Sequence, residues 1–351
     1  MNATSAMISL FGSHRAALLS EAPVVLAAYD SDFTANLDAF AEFAKANPKA
    51  TILLQLGYEH ESPETADRLS GVVARFRGVA QDARVIALCN GPKEVESLGV
   101  RNVETRLIHQ NCFLDERRYR PLPGSRPYDA AYIARLTPCK RHELVPPEIA
   151  SRLLLMGCAS KIYDSERDYA DMVKSRYAAA RWIPTFSGAK ISEYLALAKC
   201  GLVLSAREGA SFCSSEYFLC GLPVVDTPAI GGRSVLYPEE FVRYADSTTE
   251  SVGEAIAYWT NNCPDPREVR EAWLAKARVH RAAFDELMLE LTGRRFGRPP
   301  HKLALRTPHP DTLHSLAIAA YLLAKRWWRW GLSNGTHKNR DRCSLFSQSS
   351  V

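Results

Sequence analysis

The chain has 351 residues, 44 Lys+Arg against 39 Asp+Glu for a formal charge of +5, with 46% apolar and 24% charged residues. That length is room for two domains, and the balance excludes wholesale disorder, collagen and coiled-coil arrays. The charge is unevenly placed: residues 291–351 hold 11 basic and two acidic groups, a balance of +9, while residues 1–290 are mildly acidic at −4.

Nine cysteines, an odd number with no Cys-x-x-Cys pair, argue against a disulfide framework or zinc site and for a reducing, cytoplasmic setting. The N-terminus lacks a charged segment followed by a long apolar run, so no signal peptide is expected.

Residues 24–28, 51–55, 84–89 and 103–109 read as strands, and 34–46 and 63–76 as helices. This β-α-β rhythm indicates a parallel sheet covered by helices. A proline-rich stretch, residues 119–127, then reads as a linker. A second series follows, with strands at 129–134, 153–156, 180–183, 202–205 and 223–225 and helices at 165–178, 190–198, 214–219 and 251–260. A long helix over 266–291 has Asp265 as N-cap, Pro266 at its first position and Gly293 past its end. Its stripe is Val269, Trp273, Ala277, His280, Phe284, Leu287 and Leu291.

In open α/β sheets ligands bind off the carboxyl ends of the strands, and three segments of the second series sit there. Arg135 directly follows a strand, and Lys140 lies five residues on, at the expected start of a helix. Two cations near a helix N-terminus suit a diphosphate. Next, Glu208 sits in the turn after a buried strand, and Glu216 falls in the expected first turn of a helix. Carboxylates accept sugar or ribose hydroxyls, and the small residues between them let amides approach an anion. Third comes the run Cys220-Gly221-Leu222-Pro223-Val224-Val225, then the pair Gly231-Gly232. A solvated basic loop and a dipole-complementing Glu216 are the plainer readings of these charges.

The order of the three segments resembles the donor-binding domain of the family-4 retaining glycosyltransferases. Arg135 and Lys140, then Glu208 and Glu216, then the Cys-Gly-Leu-Pro-Val-Val strand and Gly-Gly turn are similar to that family's pattern. Asn111 and Asp115, before Tyr119-Arg120-Pro121, resemble its interdomain run, and the likeness covers residues 107–260.

The resemblance implies an α/β GT-B fold: two Rossmann-like domains with parallel sheets facing an interdomain cleft, plus a C-terminal basic helix. The expected units are a reduced acceptor-side domain (1–118), a nucleotide-sugar-binding domain (128–292), a basic aromatic helical segment (293–335) and a disordered tail (336–351). It implies sugar transfer with retention from a nucleotide-diphosphate donor to a glycan, polysaccharide or lipid-linked acceptor. Arg135 and Lys140 would hold the diphosphate, Glu208 the sugar, amides of Gly209, Ala210, Ser211 and Phe212 the sugar or phosphate, and Glu216 the ribose. No metal or other cofactor is expected. A catalytically silent nucleotide-sugar-binding subunit and another GT-B enzyme, such as a sugar-nucleotide epimerase, are the alternatives. In the first domain, residues 8–13 are the one candidate for the family's opening strand and loop, and His60 and His109 are candidates for a histidine near the donor sugar.

In the tail, Leu313, Leu316, Ala320, Leu323, Trp327 and Trp330 form a helical apolar stripe. Lys325, Arg326 and Arg329 interleave with Trp327, Trp328 and Trp330. That composition suits peripheral contact with an anionic membrane surface, or packing across the first domain. Nothing else in the chain resembles a nucleic-acid module.

Overall fold

The computed structural model describes residues 16–157, 162–184 and 190–296. Residues 8–13 and the basic tail lie outside the described residues.

The first sheet runs in the order β1 (Ala17–Glu21), β2 (Val24–Tyr29), β3 (Thr51–Gln55), β4 (Arg84–Cys89), β5 (Glu104–Leu107). β1 is an antiparallel edge strand and the other four are parallel. From β2 on, every step along the chain moves the same way across the sheet. Right-handed crossovers therefore put all the intervening helices on one face. These are α1 (Asp30–Ala35), α2 (Leu37–Ala46), α3 (Pro63–Val79) and α4 (Pro92–Gly99). Leu26, Ala28, Ile52, Leu54, Val85 and Ala87 turn to them, meeting Phe33, Phe40, Phe43 and Phe76. The opposite face, with Val25, Ala27, Leu53, Ile86 and Leu88, shares a core with Phe284, Leu287 and Met288 of the last helix.

The second sheet has the order β11-β10-β9-β6-β7-β8, all parallel. Its strands are β6 (Tyr128–Ile133), β7 (Leu153–Met156), β8 (Arg181–Ile183), β9 (Ala198–Val203), β10 (Val224–Asp226) and β11 (Val242–Tyr244). Helices α5 (Arg167–Arg176), α6 (Ile191–Leu195), α7 (Phe212–Leu219) and α8 (Thr249–Asn261) accompany them. This is the doubly wound order, and it reverses between β6 and β9, where such sheets hold ligands.

The last helix, α9 (Pro266–Thr292), starts as the sequence predicts. The Asp265 side chain accepts from the Arg267 amide at 2.8 Å, and Gly293 ends the helix at φ 69°. Its first half packs on α7, where Pro266 abuts Gly221. Its second half lies on the first sheet: Phe284 meets Phe113 edge-on at 4.9 Å, and Glu290 pairs with Arg84 (2.9 Å) and Arg106 (3.2 Å). One helix, about 40 Å long at ~1.5 Å per residue, therefore belongs to both domains.

Several local expectations are corrected. No α-helix begins at Lys140; the β6–β7 connection is three 3-10 turns, Pro138–Lys140, His142–Leu144 and Pro147–Arg152. Pro138, Pro146 and Pro147 remove amide donors and hold the residues before them extended, so no helix propagates. Strand β9 begins at Ala198, earlier than expected, which shortens the preceding helix to Ile191–Leu195. β1, β11 and α4 are too short to announce themselves by periodicity.

Candidate functional site

The loops after β6, β9 and β10 meet at the reversal. Arg141, in the left-handed conformation at φ 51°, binds the β6 loop to the other two. Its guanidinium donates to the Leu204 carbonyl (2.5 Å), Thr227 Oγ1 (2.8 Å) and the Pro228 carbonyl (3.0 Å). Beyond β9 the Glu208 amide donates to the Ile230 carbonyl and the Ile230 amide to the Ala206 carbonyl, at 2.9 and 3.0 Å, so the two loops run as a short parallel bridge.

Lys140 and Glu208 come together. The Lys140 ammonium stands 2.9 Å from Glu208 Oε1, with side chains 19% and 17% exposed. Burial works against the Lys140 charge, yet Glu208 overrides it and lifts the ammonium above its usual pKa. Glu208 Oε2 is buried and has no hydrogen-bond partner; its nearest cation is Arg233 Nη1 at 3.8 Å. A buried carboxylate oxygen without a hydrogen bond is costly, and here the charge of Arg233 offsets part of that cost. Arg233 is itself buried. It donates to the carbonyls of Ser205 (2.7 Å), Val203 (3.2 Å) and Thr227 (2.5 Å), and pairs with Asp226 at 2.8 Å.

Arg135 follows a different course. Its guanidinium pairs with Glu166 at 3.5 Å and lies 5.6 Å from the Tyr163 ring centre. Gly209 packs against the first domain, Ala210 and Ser211 are buried, and Phe212 opens α7. Glu216 sits in the second turn of α7, one turn later than the sequence suggests, because the helix starts at Phe212. Burial pushes its carboxyl up to about 7, with the Tyr119 hydroxyl beside it working the other way.

The carboxyl ends of the first sheet face these loops. A Cβ on Gly209 would stand 2.6 Å from the Tyr58 carbonyl oxygen, and one on Gly232 2.5 Å from the Asn90 carbonyl carbon. Only glycine permits such backbone approach. Asn111 donates across the junction to the Ser211 carbonyl (2.6 Å) and Ser215 Oγ (3.0 Å), and Arg207 pairs with Glu59. Sequence reading missed the bracing by Arg141, Arg233 and Tyr119, because each reaches at least one partner distant in the chain, as Arg233 does Val203 and Ser205.

Of the two candidate histidines, His60 has both ring nitrogens engaged, whereas His109 Nε2 is buried without a hydrogen-bond partner. His60 has Nε2 on Asp30 Oδ2 (2.8 Å) and Nδ1 at the Thr65 carbonyl (3.2 Å). Burial disfavours its charge, but Asp30 overrides this and raises its pKa. His109 accepts from the Asn111 amide at 3.2 Å and is enclosed against Gly232; burial drops its pKa to about 3. His60 braces loops within the first domain, and His109 lies at the junction.

No protein-family model matches the chain, and no curated protein matches it in sequence. Solved structures do match in fold. The Anabaena protein HepE, solved with UDP and glucose, aligns over 74% of this chain and 76% of its own at 15% identity, with a TM-score of 0.57. Sucrose-phosphate synthase from Thermosynechococcus elongatus aligns over 75% and 77% at 17% identity, TM-score 0.52. The apo structure of OtsA covers 82% and 76% at 10% identity, TM-score 0.55. The architecture is the GT-B fold of these proteins: two α/β domains with the carboxyl ends of their sheets facing each other. Among the described residues no helix is long and apolar enough to cross a membrane.

Proposed function

We propose that this chain is a retaining glycosyltransferase that moves a sugar from a nucleotide-diphosphate donor to a glycan, polysaccharide or lipid-linked acceptor. The observation that carries the proposal is the Lys140–Glu208 pair at the β6–β9 reversal, a cation and a carboxylate held together at the strand ends where such sheets take their ligands. Lys140 and Arg135 take the diphosphate, Arg135 turning from Glu166 to do so. Glu208 accepts a donor-sugar hydroxyl. The amides of Gly209 to Phe212, at the positive end of α7, face the sugar or phosphate. Glu216 accepts the ribose hydroxyls.

As the bond from the anomeric carbon to the diphosphate oxygen breaks, negative charge builds on the leaving group. Fixed cations aimed there stabilise the transition state most. The acceptor hydroxyl attacks from the same face and its proton passes to the departing phosphate oxygen, so configuration is retained. With Lys140 and Arg135 supplying the positive charge, the reaction as proposed calls for no metal ion. On the sequence pattern of Lys325 to Trp330, the enzyme works in the cytoplasm against an anionic inner membrane surface.

The test is a panel of UDP- and GDP-sugars, with nucleotide release measured with and without glycan extracts, for the native chain, Glu208→Ala and Arg135→Ala. Release that survives both substitutions refutes the site. Donor binding without release on any donor identifies a silent binding subunit instead. Flotation with anionic liposomes, full length against a chain stopped at Thr307, tests the membrane contact; equal binding refutes it.

A further inference from the structure

A cavity beside the donor site is unused by that chemistry. The carboxyl ends of β10 and β11 border an open pocket of about 270 Å³, with a lining that includes Asp226, Gly231, Arg233, Ser234, Tyr244 and Asp246. The volume lies below the ~300–1,000 Å³ of a drug-sized site and suits one ring-sized ligand.

Its chemistry is selective. Arg233 is neutralised by Asp226 at 2.8 Å and further committed to three backbone carbonyls. Asp246 is exposed and makes no ion pair among the described residues. Arg141, beside the lining residues Thr227 and Pro228, is likewise spent on them and on Leu204 and Ser247, so neither arginine has its donors free for a phosphate. Tyr244 is 56% exposed, and its hydroxyl is taken by Glu239 at 2.9 Å. What it offers the cavity is the ring face. An aromatic face, a carboxylate and the Ser234 hydroxyl, with no available cation, match the C–H face and hydroxyls of a neutral or amino sugar.

The cavity shares a wall with the donor site. A Cβ on Gly231 would collide with the Glu208 carbonyl oxygen. Arg233 stands between Asp226 at 2.8 Å and Glu208 at 3.8 Å. We propose that this cavity is a second monosaccharide site, holding a neutral or amino sugar ring of the acceptor against Tyr244 and Asp246. Its assignment to the acceptor rests on the proposed transferase function; the sugar site itself does not.

Saturation-transfer NMR on the full chain, with UDP saturating the donor site, tests it with a panel of methyl hexosides and methyl glucosaminide. At least one probe is expected to bind, to weaken about tenfold in Tyr244→Ala and in Asp246→Asn, and to hold in Tyr244→Phe, which keeps the ring face. Melting temperatures and UDP affinity report whether the variants fold. No probe with a Tyr244-dependent signal, or displacement of the probe by inorganic phosphate, overturns the proposal. A chain that ignores UDP but keeps the Tyr244-dependent signal overturns the donor assignment and leaves the sugar site standing.

Discussion

Replacing Lys140 with Met separates the structural from the binding role of the central ion pair. Lys140 and Glu208 are 2.9 Å apart and each about one-fifth exposed. Exposed pairs are worth ~0–1 kcal/mol and breaking a buried one costs ~3–5, so Lys140→Met should destabilise the chain by about 1–3 kcal/mol. The effect on donor binding is a distinct quantity. A hydrogen bond to a charged group is worth about 1.5–3 kcal/mol, so UDP affinity should fall by about ten- to a hundredfold. Glu208, no longer neutralised, adds repulsion. Lys140→Met/Glu208→Gln sorts the two: removing both charges should restore most of the stability, because no carboxylate is stranded. It should not restore the attraction between the ammonium and the diphosphate. Calorimetric UDP titrations and chemical denaturation of the native chain, the two single variants and the double variant measure it. A Lys140→Met chain that folds and binds UDP within about twofold of the native protein would refute the assignment.

Two further predictions follow from burial and close approach. The Glu216 carboxyl is pushed up to about 7 by burial, so the folded chain holds that proton more tightly than the unfolded one. Its stabilising contribution is complete below the ordinary carboxylate range near 4.5 and lost as pH rises through about 7. Ribose hydroxyls need the ionised form, so UDP affinity should rise through the same interval. Titrating Glu216→Gln in parallel lets the ionisation of UDP itself cancel in the comparison, and identical pH profiles would exclude the residue. Gly209→Ala puts a Cβ 2.6 Å from the Tyr58 carbonyl of the opposite domain. The domains must part, at a cost of about 1–3 kcal/mol, and small-angle scattering should show a larger radius. Gly71→Ala, with nothing within 4 Å on α3, is the control and should not change the radius.

The second domain was the more legible half. Its strands are short apolar runs with chemistry-bearing residues just past their ends, so Arg135, Lys140, Glu208 and Glu216 stand out from the sequence. What the sequence withheld was direction. Nothing in the spacing of Arg135 and Lys140 says that Lys140 turns to Glu208 while Arg135 turns to Glu166. The left-handed Arg141 decides the path of that loop, through partners 63 and 86 residues away. The Glu216 offset has a local cause: Phe212 and Cys213 enter the helix as apolar residues over a buried core, one turn ahead of the polar residues that look like a start.

The first domain owes part of its core to the other end of the chain, and this can be tested. Because β2 to β5 step in one direction, α1 to α4 cover one face, and among the described residues α9 contributes cover to the other. Phe284, Leu287 and Met288 are buried there, worth about 1.5–3 kcal/mol each by burial. Together they are comparable to the ~5–15 kcal/mol net stability of a domain. A chain stopped at Pro264 keeps every strand of both sheets yet loses this cover and the Glu290 pairs with Arg84 and Arg106. Hydrogen exchange should then show the β2, β3 and β4 amides deprotected, with binding of a hydrophobic dye. The second domain keeps α8 against β9 and β10 and should lose less protection. Full protection of β3 and β4 in the shortened chain would mean that the first sheet is stable without α9. Shared use of one helix would otherwise make the two domains unfold as one cooperative unit, and it ties the first domain's loops to α7, which starts just after the Glu208 turn.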